Sequence, residues 1–418
     1  MIKKSAYFYL FRRFASGHAC SFSFPDHTIP YTNTLDFIRP ERSGCIRIFQ
    51  VIDKNGETKI PNYKSKLDKN LLMDIFMKMI TLRTFDKIMY ESQRQGRISF
   101  YMTSYGEEAA TVSSAAALKP EDFIYAQYRE AGVLLWRGQK LENLMDQCYS
   151  NVGDRNKGRQ MPLHYGSREL NFSTVSSPLA TQIPIAAGSA YSYKLAGNGS
   201  VVACYFGEGA ASEGDAFTGL NFAATLQCPL LFIVRNNGYA ISTPSREQYR
   251  GDGIVARALA LGIPGARVDG NDVFAVYTAT KMAREICFKE CRPVLIEAMT
   301  YRVGHHSTSD DSTAYRSDEE VKQWEQGDNP ISRLRNYLLK QGLLDEKEEE
   351  EMRKKIKEQI METFVSCEAK NKPNPLLLFT DVYAKMPSRI RQQMLETKDR
   401  IEKHSSNYDL SNYEQAEI

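Results

Sequence analysis

Two hydrophobic rhythms run along this chain. Between Lys66 and Gln95 the residues Leu71, Leu72, Ile75, Met79, Leu82, Phe85, Ile88 and Met89 recur at helical spacing, predicting an amphipathic helix that ends near Gly96. Short unbroken apolar runs at Val201 to Phe206, Pro229 to Val234 and Pro293 to Thr300 have instead the length of buried strands. Phe123 to Gly132 reads as a short strand running into a loop, and Ile46 to Val51 as a weak strand with a turn at Asp53 to Gly56. Helical segments lie between: an alanine-rich stretch ending at Leu118, Ile183 to Leu195, Phe217 to Leu226, and Val273 to Phe288. This alternation predicts an α/β fold, a parallel sheet flanked by helices. The tail from Ile331 reads as a helical C-terminal extension, with the mixed charges from Asp345 to Lys370 as a solvated face and Leu376 to Phe379 as a small docking patch.

Parallel strands joined by a crossover helix end on one edge of the sheet, where open α/β sheets bind ligands. Two turns fall there, Gly207-Glu208-Gly209 and Asn236-Asn237-Gly238. Glu208 offers a carboxylate and Asn237 an amide oxygen, and the irregular chain after Asn237 offers a main-chain carbonyl. With two phosphate oxygens and a water these would complete the octahedron of a magnesium ion. Gly207, Gly209 and Gly214 do not have the spacing of a dinucleotide fingerprint. Tyr128 and Arg129 end another strand on that edge; Arg129 suits a phosphate, or else a surface ion pair with Glu121 or Glu130.

The strand ending at Thr300 delivers a polar loop, Tyr301 to Ser317, to the same edge. His306 can donate to a phosphate or an oxyanion, and its reference pKa near neutrality suits proton transfer. Asn151 to Ser177 is irregular and too long for a plain connector. Within it His164 reads as a ligand contact or as a buried structural histidine.

Composition removes other classes. A net charge of +3, without a basic face carrying interleaved aromatics, argues against a nucleic-acid partner. Eight scattered cysteines without paired spacing read as free thiols in a reducing compartment. Met1 to Pro25 lacks Asp and Glu but carries Lys3, Lys4, Arg12 and Arg13, the composition of a mitochondrial transit peptide. The expected organisation is a leader over 1–30, an N-terminal extension over 31–65, a cofactor-binding domain over 66–330, and a helical region with a tail over 331–418.

Gly207 through Asn237 resembles the GDG…NN motif of thiamine-diphosphate enzymes, with Glu208 where Asp is more usual. The string HHSTSDDSTAYRS, and nearly the whole chain from about Leu35, resembles the alpha subunits of branched-chain 2-oxoacid dehydrogenases. The resemblance implies a thiamine-diphosphate-binding fold and oxidative decarboxylation of branched-chain 2-oxoacids, with acyl transfer to a lipoyl group. It implies cofactor contacts at Tyr128, Arg129, Ser177, Leu179, Gly207, Glu208, Gly209, Ala210, Arg235, Asn237, Tyr239 and His306, the last also catalytic. Magnesium falls to Glu208, Asn237 and Tyr239, and potassium to Ser176, Pro178, Thr181 and Gln182. Ser307 and Ser317 match regulatory phosphorylation positions, acted on by a kinase and a phosphatase. The glutamate that activates the cofactor is implied on a beta subunit, in an assembly of two alpha and two beta chains in the mitochondrial matrix. A pyruvate dehydrogenase alpha subunit and a non-catalytic homologue remain as alternatives.

Overall fold

The computed structural model describes residues 21–24, 27–40, 44–61, 63, 65 and 67–414. The chain divides into two units, Met1–Cys45 and Ile46–Ile418. In the first, β1 (Ser21–Phe24) and β2 (His27–Pro30) pair antiparallel. The rest of the expected leader lies outside the described residues.

The second unit contains β3 (Ile48–Phe49), α1 (Lys69–Arg94), α2 (Glu108–Ala117), β4 (Phe123–Tyr125), α3 (Ala131–Trp136), α4 (Leu141–Tyr149) and α5 (Gln182–Ala196). There follow β5 (Val202–Gly207), α6 (Gly214–Thr225), β6 (Leu230–Asn236), the two-residue strands β7 (Tyr239–Ala240) and β8 (Thr243–Pro244), and α7 (Ser245–Gln248). Then come α8 (Val255–Ala260), β9 (Gly265–Asp269), α9 (Val273–Glu290), β10 (Val294–Met299), α10 (Asp318–Gly327), α11 (Pro330–Lys340), α12 (Glu346–Glu368) and α13 (Ser388–Lys403). Asp68 caps the start of α1, and Gly96, at φ +76°, takes the left-handed turn just past its end.

Six strands form one parallel sheet in the order β3-β9-β10-β6-β5-β4. Residues alternate between its faces. Ala203, Tyr205, Leu231 and Ile233 pack with Leu82 and Phe85 of α1 and Val276 of α9. Val202, Cys204, Phe206, Leu230 and Phe232 pack with Ile183 and Ala186 of α5 and Leu220 of α6. Strands buried on both faces read as continuous apolar runs, which is why these segments carry no polar alternation. The register sets Gly207 opposite Arg235 and Asn236 opposite Met299, so both glycine turns and the Tyr301–Ser317 loop leave from one edge.

The C-terminal helices belong to this same unit. Ile360, Phe364 and Cys367 of α12 join the core around α1 and α4 beneath a charged outer face, and the Asn151 Nδ2 donates to the Cys367 carbonyl at 2.8 Å. A capping box at Asp345 and Glu348 starts the helix. The Leu376–Phe379 patch forms a 3₁₀ turn that leaves Leu378 exposed. Cys148, Cys204, Cys228, Cys287, Cys291 and Cys367 are free thiols.

Asp86 of α1 anchors the segment that leads to the ligand edge, accepting from Tyr101 OH at 2.8 Å and Ser104 N at 2.5 Å. Burial outweighs these hydrogen bonds and raises its pKa to about 7. The folded chain therefore holds an extra proton between the unfolded value and 7, and this contribution to stability is lost as pH rises through that window. We expect the stability gap between wild type and Asp86→Asn to narrow by roughly 2 kcal/mol from pH 5 to 7, checked by denaturant unfolding.

Candidate cofactor site

At the sheet edge lies a cavity lined by Tyr128, Arg129, Leu179, Gly207, Glu208, Gly209, Ala210, Arg235, Asn237, Tyr239 and His306, all expected from the sequence. Gln127, Ala240, Ile241 and Arg302 line it as well. Its volume is about 80 Å³. Pockets that enclose a whole drug-sized ligand run to roughly 300 Å³ or more, so this one suits one end of a larger molecule.

The site is built around a buried carboxylate at the start of α2. Glu107 Oε1 accepts from Arg235 Nη1 at 2.8 Å and from Asn237 Nδ2 at 3.0 Å, while Oε2 lies 3.8 Å from Arg129 Nε and has no hydrogen-bond partner among the described residues. Burial pushes its pKa up, but Arg235 and Arg129 outweigh that and hold it below the usual range. A carboxylate can only accept, so Asn237 must turn its amino group toward Glu107 and its Oδ1 away. Glu130 completes the brace, taking Arg235 Nε on one oxygen and Gln127 N at 2.6 Å on the other. Gln127 Oε1 in turn accepts from Gly207 N at 2.7 Å and fixes the first glycine turn.

Glu208 is the exception in this network. It is 2% exposed, its side chain accepts from Asn237 N at 3.3 Å, and no salt bridge reaches it among the described residues. Burial, with Glu107 adding repulsion, raises its pKa to about 7. At Gly209 a Cβ would stand 2.8 Å from the Ala240 Cβ, so the first turn meets β7 at a point that favours glycine.

The opposite wall is cationic. Arg129 is 3% exposed and donates to the carbonyls of Thr103 at 2.5 Å and His306 at 2.6 Å, which replaces the surface pairing with Glu121 or Glu130. Arg302, 1% exposed, donates to the Ile241 carbonyl at 2.7 Å and Tyr315 OH at 2.8 Å, and its Nε has no acceptor among the described residues. Both guanidiniums face His306 Nδ1, at 3.2 and 3.3 Å. Arginine only donates, so Nδ1 is the acceptor and the ring proton sits on Nε2. Burial, then Arg129 and Arg302, lower the His306 pKa to about 3. The histidine is thus neutral across the physiological range in this setting, contrary to the near-neutral titration its residue type suggests.

The loop that carries it is tightly tied. Asp310 Oδ2 accepts from His306 N at 2.7 Å and Tyr315 OH at 2.6 Å, and Arg316 donates to the carbonyls of Arg302, Val303 and Gly304. Ser307 is buried and accepts from Ser309 N, whereas Ser317 is the exposed N-cap of α10. Ser177 stays out of the cavity lining, with its Oγ 2.6 Å from His164 Nε2. His164 is buried and also contacts the carbonyls of Met161 and Pro162, the structural role. Near it, Thr181 Oγ1 donates to the Pro178 carbonyl and Gln182 Nε2 to the Tyr205 carbonyl, both at 3.1 Å; Ser176 is exposed.

Sequence reasoning missed Glu107, Gln127, Glu130 and Arg302 as members of the site. Gln127, Glu130 and Arg302 each stand within two residues of a strand end assigned to this edge from the sequence, which was the available signal; Glu107, at the start of the alanine-rich helix, carried none. Nothing local marks which of these polar side chains turns inward.

The family described as dehydrogenase E1 component matches residues 77–376. The human mitochondrial 2-oxoisovalerate dehydrogenase subunit alpha is 55% identical over 94% of this chain and 88% of its own length. Its Caenorhabditis elegans counterpart is 50% identical over 90% and 87%, and the alpha 2 subunit of Arabidopsis thaliana 46% identical over 92% and 82%. A match across most of the chain, on the fold and site just described, means that this protein belongs to the dehydrogenase E1 component family, in its 2-oxoisovalerate dehydrogenase alpha-subunit branch.

Proposed function

We propose that the chain is the alpha subunit of a mitochondrial branched-chain 2-oxoacid dehydrogenase, which decarboxylates its substrate with thiamine diphosphate and passes the acyl group to a lipoyl-bearing partner. The family is thiamine-diphosphate-dependent, so the cofactor class follows from membership. One observation carries the reading of the site: Glu208, a buried carboxylate, shares a cavity with Arg302, a buried guanidinium, and neither has an ion-pair partner among the described residues. A site that lacks one charge of each sign suits an ion pair such as magnesium diphosphate.

The residues fit that ligand. Arg129 and Arg302 suit the phosphate oxygens, while Glu208, Asn237 Oδ1 and the Tyr239 main-chain carbonyl supply three hard oxygens for magnesium. Thiamine diphosphate, when bound, supplies the electron sink for loss of carbon dioxide. His306, with its proton on Nε2, can donate a hydrogen bond to an oxygen of the reacting acyl group and help its transfer. Ser176, Pro178, Thr181 and Gln182 are proposed to hold potassium beside this edge. The small cavity suits the diphosphate end alone, which leaves the activating glutamate and the rest of the cofactor to a beta subunit in a two-alpha, two-beta assembly.

Co-expression with a beta subunit is expected to give cofactor- and magnesium-dependent decarboxylation, with 2-oxoisovalerate preferred over pyruvate. The reverse preference would point to a pyruvate dehydrogenase, and absence of cofactor binding to a non-catalytic homologue. A kinase and a phosphatase are proposed to act on the loop. A phosphate on Ser307 brings close to two negative charges beside Asp310, whose carboxylate holds His306 and Tyr315. Ser307→Glu should therefore lower activity about tenfold or more and raise hydrogen exchange over the loop. The same change at exposed Ser317 should do less.

A further inference from the structure

The Asn237–Tyr239 turn is held by something beyond its own hydrogen bonds. It runs into β7, which pairs with β8 over only two residues, and a ribbon that short does not fix its own geometry. Gly238 in its middle, at φ +86°, adds backbone freedom. Yet this turn carries both Asn237 and the Tyr239 carbonyl.

The missing tether lies on α10. Glu320 Oε1 accepts from Tyr239 OH at 2.8 Å and from Tyr301 OH at 2.8 Å. One carboxylate oxygen thus clamps the turn after β6 to the strand end after β10. The two phenol rings meet edge-on with centroids 6.3 Å apart, and the Arg316 guanidinium lies 5.8 and 5.3 Å from them. α10 buries none of its own residues, so its place depends on such attachments: Trp324 stacks on Tyr301 at 5.0 Å and Glu325 pairs with Arg83 at 3.1 Å. The Glu320 backbone N–H is in turn fixed by the Ser317 cap at 3.2 Å.

We infer that Glu320 is a positioning residue for the metal: by holding the Tyr239 phenol it sets the Tyr239 carbonyl, beside the Asn237 amide that Glu107 orients, at the distance that a hard cation demands. The inference rests on the proposed magnesium-diphosphate reading of the cavity. Magnesium tolerates little departure from octahedral geometry, so a turn freed by a few tenths of an ångström loses the ion before it loses the fold.

The test uses the alpha–beta assembly, with magnesium and thiamine diphosphate as probes and calorimetric cofactor uptake as the readout. Glu320→Ala should raise the magnesium concentration for half-maximal loading by about tenfold, the scale of an outer-shell loss. Glu320→Gln keeps an acceptor oxygen and should stay close to wild type. Tyr239→Phe, which keeps the ring and its packing, should reproduce the Glu320→Ala shift, and the double variant should be no worse than either single one. Normal loading by Glu320→Ala, a Gln variant as poor as Ala, or additive single effects would each overturn the inference. Wild type that takes up no cofactor at any magnesium concentration would overturn the proposed site, and this inference with it.

Discussion

Replacing Glu208 with alanine is expected to abolish magnesium-dependent uptake of thiamine diphosphate by the alpha–beta assembly, and decarboxylation with it. Among the described residues Glu208 is the one carboxylate that lines the cavity, and no salt bridge reaches it. Without it, three formal oxygen donors fall to two and the cavity keeps an uncompensated positive wall. Outer-shell changes alone cost about 10- to 100-fold in metal affinity, so loss of the ligand itself should exceed about 100-fold. Calorimetric titration of cofactor at fixed magnesium measures it. The apo assembly should lose no stability, and should gain some, because a buried carboxylate without a cation has been removed. Unchanged uptake would mean that Glu208 is not a metal ligand.

Glu107→Gln is the second large effect, and it separates positioning from ligation. Glu107 touches Arg235, Asn237 and Arg129 at once and does not line the cavity. A glutamine there offers a donor to partners that mostly donate, and it removes the charge that balances two buried guanidiniums. Removing one side of a buried ion pair costs about 3–5 kcal/mol, so apo stability should fall, the opposite sign to Glu208→Ala. Asn237 also loses what orients its amide, so magnesium-dependent uptake should weaken by about 10- to 100-fold. Unfolding by denaturant and cofactor titration on the same preparation check both. A variant that binds normally but unfolds early would confine Glu107 to the fold.

The sequence was most informative where physics is local. Continuous apolar runs of strand length can only be buried on both faces, so the sheet and the edge at Glu208 and Asn237 followed from pattern alone. Of the twelve residues that the family resemblance implied at the cofactor, eleven line the cavity; Ser177 instead holds His164. The mixed-charge run was harder. Its charged face hides Ile360, Phe364 and Cys367, and three buried apolar positions among so many charges leave a weak periodic signal.

What the order of residues determined by itself is the architecture: which segments are strands, that they run parallel, and so which turns share an edge. It also set the chemistry available at that edge, since Glu208 and Asn237 directly follow strand ends and Arg129 and His306 lie in the loops beyond β4 and β10. The tertiary structure decided which charges cancel. Glu107 and Glu130, consecutive in no motif, close on Arg235 from two different helix starts and leave Glu208 without an ion-pair partner among the described residues. Arg129 and Arg302 converge on His306 from the separate loops after β4 and β10 and keep its ring neutral. Charge pairing in a buried site depends on distances of a few ångströms between segments far apart in the chain, and no local pattern encodes those distances.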